Sequence, residues 1–203
     1  MKNTKLITEF LGTFFLVTVV SFTGNPLAIG GVLLALVYGG GHISGAHFNP
    51  AVTLAVYLRK KISQTEALYY VAVQMLGALT AAALYLVTHH TFFILQPSAQ
   101  TTWPIAFILE LIFTFLLART VLAVAVDSRV KGNQYFGLAI GAALFVGAAV
   151  TGPLSGGALN PAVGVGPLLL DINHLAAHLP LVVLYIAGPL AGGALAAIVE
   201  RKQ

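Results

Sequence analysis

The chain has 203 residues, 58% of them hydrophobic and 8% charged, with ten Lys and Arg against six Asp and Glu. Soluble domains carry about 25% charged residues, so this composition excludes a soluble enzyme and a disordered chain. The formal net charge of +4 is spread over too few side chains to form a nucleic-acid-binding patch. With no cysteine, a disulfide scaffold and thiolate metal sites are excluded as well.

Apolar stretches lie near residues 6–22, 27–41, 66–88, 103–126, 135–151 and 176–199. A membrane helix needs about 20 apolar residues to cross ~30 Å of hydrocarbon, so these predict six crossings. The second and fifth are short and glycine-rich. Lys2 and Lys5 precede the first stretch as in a signal peptide, but Glu9 interrupts it and no small-x-small cleavage site follows. It reads as a retained first helix. Trp103 stands at the start of the fourth span as an interfacial anchor. Gly137 and Gly141, like Gly188 and Gly192, form small-x-x-x-small faces that let helices pack closely.

Orientation follows from the cations, which concentrate on the cytoplasmic side of a membrane protein. Lys2, Lys5, Arg59, Lys60, Lys61, Arg129, Lys131, Arg201 and Lys202 fall at the two termini, before the third span, or between the fourth and fifth. Six crossings put those places on one side. The opposite loops, near 23–26, 89–102 and 152–175, carry no Lys or Arg. Both termini are therefore expected to be cytoplasmic, in a multi-pass protein of a prokaryotic inner (plasma) membrane.

An internal repeat organises the chain. Asn49-Pro50-Ala51-Val52 recurs 111 residues later as Asn160-Pro161-Ala162-Val163. Glu9-x-x-x-Thr13-Phe14 recurs as Glu110-x-x-x-Thr114-Phe115, and Gly77 and Gly188 each lie 28 residues past their Asn. The expected division is residues 1–100 and 101–203, two repeats within one domain. Each holds three spans, an odd number, so the halves are inverted relative to each other. Inverted repeats are a transport architecture with the site near the midplane at their interface.

Asn is a strong N-cap and Pro is preferred at the first helical position, so each Asn-Pro pair opens a helix. Those helices run to Leu58 and to Leu170, where Arg59 and Asp171 follow. Ten residues at 1.5 Å make ~15 Å, about half of the bilayer core. Two half-helices entering from opposite faces meet N-terminus to N-terminus, each end carrying roughly half a positive charge. Such ends repel cations, and the Asn49 and Asn160 amides are placed to donate to a passing oxygen.

With these residues in view the sequence resembles the aquaporin and glycerol-facilitator family along nearly its whole length. The run from Gly41 to Val52, Gly-His-Ile-Ser-Gly-Ala-His-Phe-Asn-Pro-Ala-Val, carries the resemblance, with the second Asn-Pro-Ala, the Glu-x-x-x-Thr-Phe repeats and Gly188-Pro189. It implies an all-α, aquaporin-like membrane fold of six helices and two half-helices. It further implies a homotetramer with one pore per subunit, and passive flow of water and small neutral solutes with neither enzyme activity nor a cofactor. The pore residues it implies are Asn49, Pro50, Ala51, Asn160, Pro161 and Ala162, with His47 in the cytoplasmic vestibule.

The chain departs from the family at the narrow outer filter. Where most relatives have arginine after the second Asn-Pro-Ala, Val163 stands, and the other filter positions fall on Ile29, Ala148 and Gly157. Such a filter is expected to be wider and drier than usual, and to admit glycerol-like solutes. Gly164 stands where glycerol facilitators carry an acid, while Tyr185 is similar to the aromatic of water channels. The subfamily markers disagree.

Two further readings remain open at this stage. Glu9 and Glu110 lie inside apolar helices, where ionisable groups suggest function. They serve either as the couple of a proton-coupled transporter or as structural acids bracing the loops before the half-helices. A closed, aquaporin-like membrane contact protein is the other. His47 is a pH gate or a satisfied structural imidazole. Arg119, inside the fourth span, either reaches the pore or snorkels to the cytoplasmic interface or a subunit contact. His89, His90, His174 and His178 fall near external loops without the spacing of a metal site.

Overall fold

The computed structural model describes residues 3–200, so Lys2, Arg201 and Lys202 lie outside the described part of the orientation argument. The chain forms α1 (Asn3–Thr23), α2 (Pro26–Ser44), α3 (Pro50–Leu58), α4 (Gln64–His89), α5 (Trp103–Val121), α6 (Phe136–Ser155), α7 (Pro161–Val165) and α8 (Leu175–Glu200). Six of these, with short extensions on α5 and α8, are long and apolar enough to cross a membrane. Local chemistry sets their ends. Asn25 accepts from Leu27 N and Ala28 N ahead of Pro26 at the start of α2, and Gly45 closes that helix at φ 92°. Ser63 accepts from Glu66 N to open α4.

The second half-helix differs from its expected extent. α7 is α-helical only to Val165, and Pro167–Leu170 continues as a 3₁₀ turn. Pro167 has no N–H to donate and its ring crowds the carbonyl one turn back, so the α ladder cannot pass it. On the other side of the fold, α5 loosens into a π turn over Leu122–Val126 before Asp127.

In the packing, α1 lies on α4, α5 on α8, and α2 crosses α6. At that last crossing a Cβ on Gly30 would sit 2.7 Å from Gly141 O, and one on Gly141 would sit 2.7 Å from Gly30 O. Neither glycine admits a side chain, and the contact is symmetric between halves.

The α4 and α8 registers correct one pairing read from the sequence. A Cβ on Gly77 would meet Phe10 O at 2.5 Å and Phe14 N at 3.0 Å. The glycine making the matching approach, to Leu111 O and Phe115 N, is Gly192, whereas Gly188 faces Glu110 Cβ. The halves are therefore related by 101 residues in α1/α5, by 111 in α2/α6 and the half-helices, and by 115 in α4/α8. The steps come from a longer α5–α6 connection and from the extra turns between α7 and α8, which shift α8 by one helical turn.

Contacts define the two ends of the bundle. At one, Lys5 Nζ bonds Glu66 Oε1 at 2.8 Å, Tyr38 Oη donates to Gln134 O at 2.8 Å, and Arg59, Lys61, Arg129 and Glu200 surround one hollow. At the other, Ser98 N donates to Leu154 O at 2.9 Å and the Phe22 ring stands edge-on to Tyr85 and His89.

Candidate functional site

The segments before the half-helices follow one backbone path. Gly45, Ala46 and Phe48 have positive φ, as do Gly156, Gly157 and Leu159 at the positions 111 residues on. For Ala46, Phe48 and Leu159 that conformation is strained, so something must hold it. The holders are two buried carboxylates. Glu9 Oε1 accepts from Ser44 Oγ at 2.6 Å and His47 N at 3.0 Å, and Oε2 from Phe48 N at 2.7 Å and Gln74 Nε2 at 2.8 Å. Glu110 Oε1 accepts from Ser155 Oγ at 2.7 Å and Ala158 N at 3.1 Å, and Oε2 from Leu159 N at 2.7 Å. Both are fully buried and neither lines the cavity described next. Each loop is closed by a tyrosine: Tyr70 Oη donates to Ser44 O and Tyr185 Oη to Ser155 O, both at 2.7 Å. Tyr185 is therefore a loop clamp rather than a pore wall. Its partner Tyr70 escaped the sequence reading, although Ser-Gly recurring at 44–45 and 155–156 marked the loops it serves.

The two Asn-Pro turns interlock. Asn49 Oδ1 accepts from Ala51 N at 2.8 Å and Asn160 Oδ1 from Ala162 N at 2.9 Å, capping the half-helices. Asn49 Nδ2 donates to Leu159 O, and Asn160 Nδ2 to Phe48 O, each at 2.9 Å. Each amide thus spends its oxygen and one N–H, and keeps one N–H. Pro50, Ala51, Pro161 and Ala162 are buried at the junction; Gly193 of α8 packs against the Ala51 carbonyl and Ala78 of α4 against Gly166.

A cavity runs along this junction. Its sixteen lining residues are eight symmetry pairs: Leu16/Leu117, Val20/Val121, Ile29/Ile140, Leu33/Leu144, Ala46/Gly157, His47/Ala158, Asn49/Asn160 and Val52/Val163. It carries no formal charge beyond what His47 takes up. Its volume is about 20 Å³, against the roughly 10–15 Å³ that one water needs on the same measure. Branched aliphatic side chains from four helices close on this cavity and leave it narrow. Ile29, Gly157 and Val163 line it; Ala148 is buried one turn beyond Leu144 on the same α6 face, and its methyl does not reach the lining.

His47 is buried on the cavity wall, with Nδ1 3.2 Å from Thr53 Oγ1 and its ring edge-on to Tyr70. Arg119 does not reach the pore: its Nε lies 3.3 Å from Oε1 of Glu200, at the end of α8. On the far end, Asp171 is bonded by His174 Nδ1 at 2.8 Å and His178 Nε2 at 3.0 Å. Those bonds, His178's foremost, hold its carboxyl below the usual Asp range. Among the described residues no group of three His, Asp or Glu is arranged to hold a metal.

Residues 19–200 match the family described as major intrinsic protein. The chain belongs to that family. This makes it a multi-pass integral membrane protein of a channel family and not an enzyme. Aquaporin NIP1-1 of Oryza sativa subsp. japonica is 36% identical over 93% of this chain and 70% of its own length. Nodulin-26 of Glycine max is 35% identical over 80% of this chain and 66% of its own. These relatives are plant proteins, which does not fit the prokaryotic membrane expected from the sequence. The X-ray structure of the aquaglyceroporin from Plasmodium falciparum superposes with a TM-score of 0.84 over 98% of this chain and 96% of that one, at 22% identity. It shares the aquaporin fold.

Proposed function

We propose that the chain is a passive channel for water and small uncharged solutes, glycerol-like molecules being the largest. In this reading the cavity on the pseudo-two-fold axis is the path. The observation that carries it is the paired Asn49 and Asn160. Both amide oxygens are committed to their own half-helices, so each side chain offers the cavity N–H and no acceptor. A water between them accepts and cannot pass a proton on, which breaks a proton wire. Ions find no charge to replace their hydration among the aliphatic pairs, and desolvating an ion costs far more than desolvating a hydroxyl. The relatives, by name aquaporins, and the fold of a solved aquaglyceroporin support the same reading.

The filter of Ile29, Ala148, Gly157 and Val163 offers no side-chain donor and two very small side chains, so width there is set by Ile29 and Val163. Glycerol passes once these and the Leu33/Leu144 pair change rotamer. Glu9 and Glu110 act as braces. Both termini face the cytoplasm, and the exposed apolar stripe Ile105, Ile108 and Ile112 on α5 suits lipid or a neighbouring copy in a homotetramer.

Stopped-flow light scattering on proteoliposomes tests this. Shrinkage in an impermeant osmolyte is expected to be faster than in empty vesicles, with reswelling when glycerol is the osmolyte. Val163→Arg narrows the filter and slows the glycerol phase more than the water phase. Water permeability at the level of empty vesicles overturns the proposal.

A further inference from the structure

The two halves of the cavity are symmetric in shape and unlike in chemistry. On one side of the Asn pair stand His47, Thr53 and Gln74. The positions related to them by the offsets above are Ala158, Gly164 and Pro189. Behind the wall at His47 one half thus has a polar chain that the other lacks, and hydrogen-bond direction can be followed along it.

Glu9 receives two backbone N–H groups, so it is an acceptor there, and the Gln74 contact at 2.8 Å must be Nε2 donating. That orients the amide. Its second N–H lies 3.0 Å from Thr53 Oγ1 and donates to it, while Gln74 Oε1 lies 3.5 Å away. With Gln74 donating in, the Thr53 hydroxyl proton is free to go to His47 Nδ1 at 3.2 Å. Nδ1 is then an acceptor, and a neutral imidazole accepting at Nδ1 carries its proton on Nε2. His47 Nε2 has no hydrogen bond within the protein and is not among the buried orphaned atoms, so it meets the cavity.

We infer that Gln74 and Thr53 are positioning residues that lock His47 as the Nε2–H tautomer, giving the path a third fixed side-chain donor where the other tautomer would present a basic lone pair. This rests on the channel reading. Its consequence is a proton barrier beyond the Asn pair. An Nε2 lone pair would take a proton from a passing hydronium, form imidazolium, and return that proton to the next water. With Nε2 already protonated, the ring could gain a proton only at Nδ1, which requires Thr53 to withdraw its hydroxyl proton. The charged and titratable groups facing the ring are Glu9 and Lys5 of α1 and Glu66 and Tyr70 of α4; none contacts Nε2.

The test combines ¹⁵N-histidine NMR of the full chain in bilayers with proton flux into proteoliposomes, the His47 signal being assigned by its loss in His47→Ala. The wild type is expected to show Nε2 protonated at neutral pH and proton flux at the empty-vesicle level. Thr53→Val keeps the shape and removes the hydroxyl. It should give a mixed-tautomer ring and a several-fold rise in proton flux with little change in water flux. Thr53→Ser should restore both, and Gln74→Leu should repeat the effect from the other end of the chain. A wild-type ring protonated on Nδ1, a Thr53→Val ring that stays Nε2–H, or a mixed ring without added proton flux overturns the inference. The tautomer is read whether or not water moves, so failure of the channel reading shows separately as absent water permeability.

Discussion

At single residues the two braces look equivalent and are not. Each oxygen of Glu9 accepts two hydrogen bonds, whereas Oε2 of Glu110 accepts only from Leu159 N. A glutamine at 110 can place its oxygen on the Ser155 and Ala158 side and strand one donor. At position 9 either orientation strands one backbone N–H, of His47 or Phe48, and in addition forces Ser44 or Gln74 to reverse its hydrogen bond. A stranded buried donor costs about 1–3 kcal/mol, so Glu110→Gln is expected to destabilise by about that much and Glu9→Gln by more. Thermal unfolding of the two variants in detergent reads the ranking, and equal losses would show that the donors were not held by these oxygens. The strained backbone at Ala46, Phe48 and Leu159 is held in place by these same bonds, so the order of lost water permeability should follow the order of lost stability.

Among helices, the question is which glycines let α4 and α8 approach their partners. A Cβ on Gly77 or Gly192 would press on the backbone of α1 or α5, which cannot step aside, whereas at Gly188 the close contact is the Glu110 Cβ at 2.9 Å and the nearest backbone atom, Phe107 O, is 3.4 Å off. Overpacking costs about 1–3 kcal/mol. Gly77→Ala and Gly192→Ala are therefore expected to lose similar stability within that range, and Gly188→Ala less, by the same unfolding measurement. Equal spacing from Asn49 and Asn160 pointed to Gly188, and the error is instructive. Spans, half-helices, Asn caps and buried acids were legible because hydrophobic length, Asn-Pro chemistry and the cost of a charge in lipid are written locally. The register of α8 depends on the number of residues in the turns after Pro167, and no local pattern announces a shift of one helical turn. The narrowness of the cavity was hidden for a related reason. Four small or aliphatic letters describe the filter, but Leu33, Leu144 and the residues of α1 and α5 that close on it come from other parts of the chain. His47 needed Thr53, six residues on, and Gln74, a lone amide within an apolar span, before its role had a direction.

For the molecule as a whole, the sign of its insertion is a matter of charge. Lys5, Arg59, Lys60, Lys61, Arg129 and Lys131 all lie toward the end of the bundle where α1 and α4 begin and α5 ends, and the connection at 90–102 lies at the other. Near that cationic end Asp127 is bonded by Arg129, which holds its carboxyl down at about 2, so it stays ionised at any physiological pH and offsets only one of the cations. Anionic lipid on the cytoplasmic leaflet attracts each Lys or Arg by about 1 kcal/mol, and the loops near 23–26, 89–102 and 152–175 carry no Lys or Arg with which to compete. The chain has no cysteine, so single cysteines report position without background. Lys131→Cys is expected to react with a membrane-impermeant maleimide only after cells are opened, and Ala99→Cys in intact cells. The reverse pattern would mean that the bundle inserts with Asn49 entering from outside. Val163 would then sit on the inner side of the Asn pair, and the arginine-free constriction would be the last barrier a solute meets on entering the cell instead of the first.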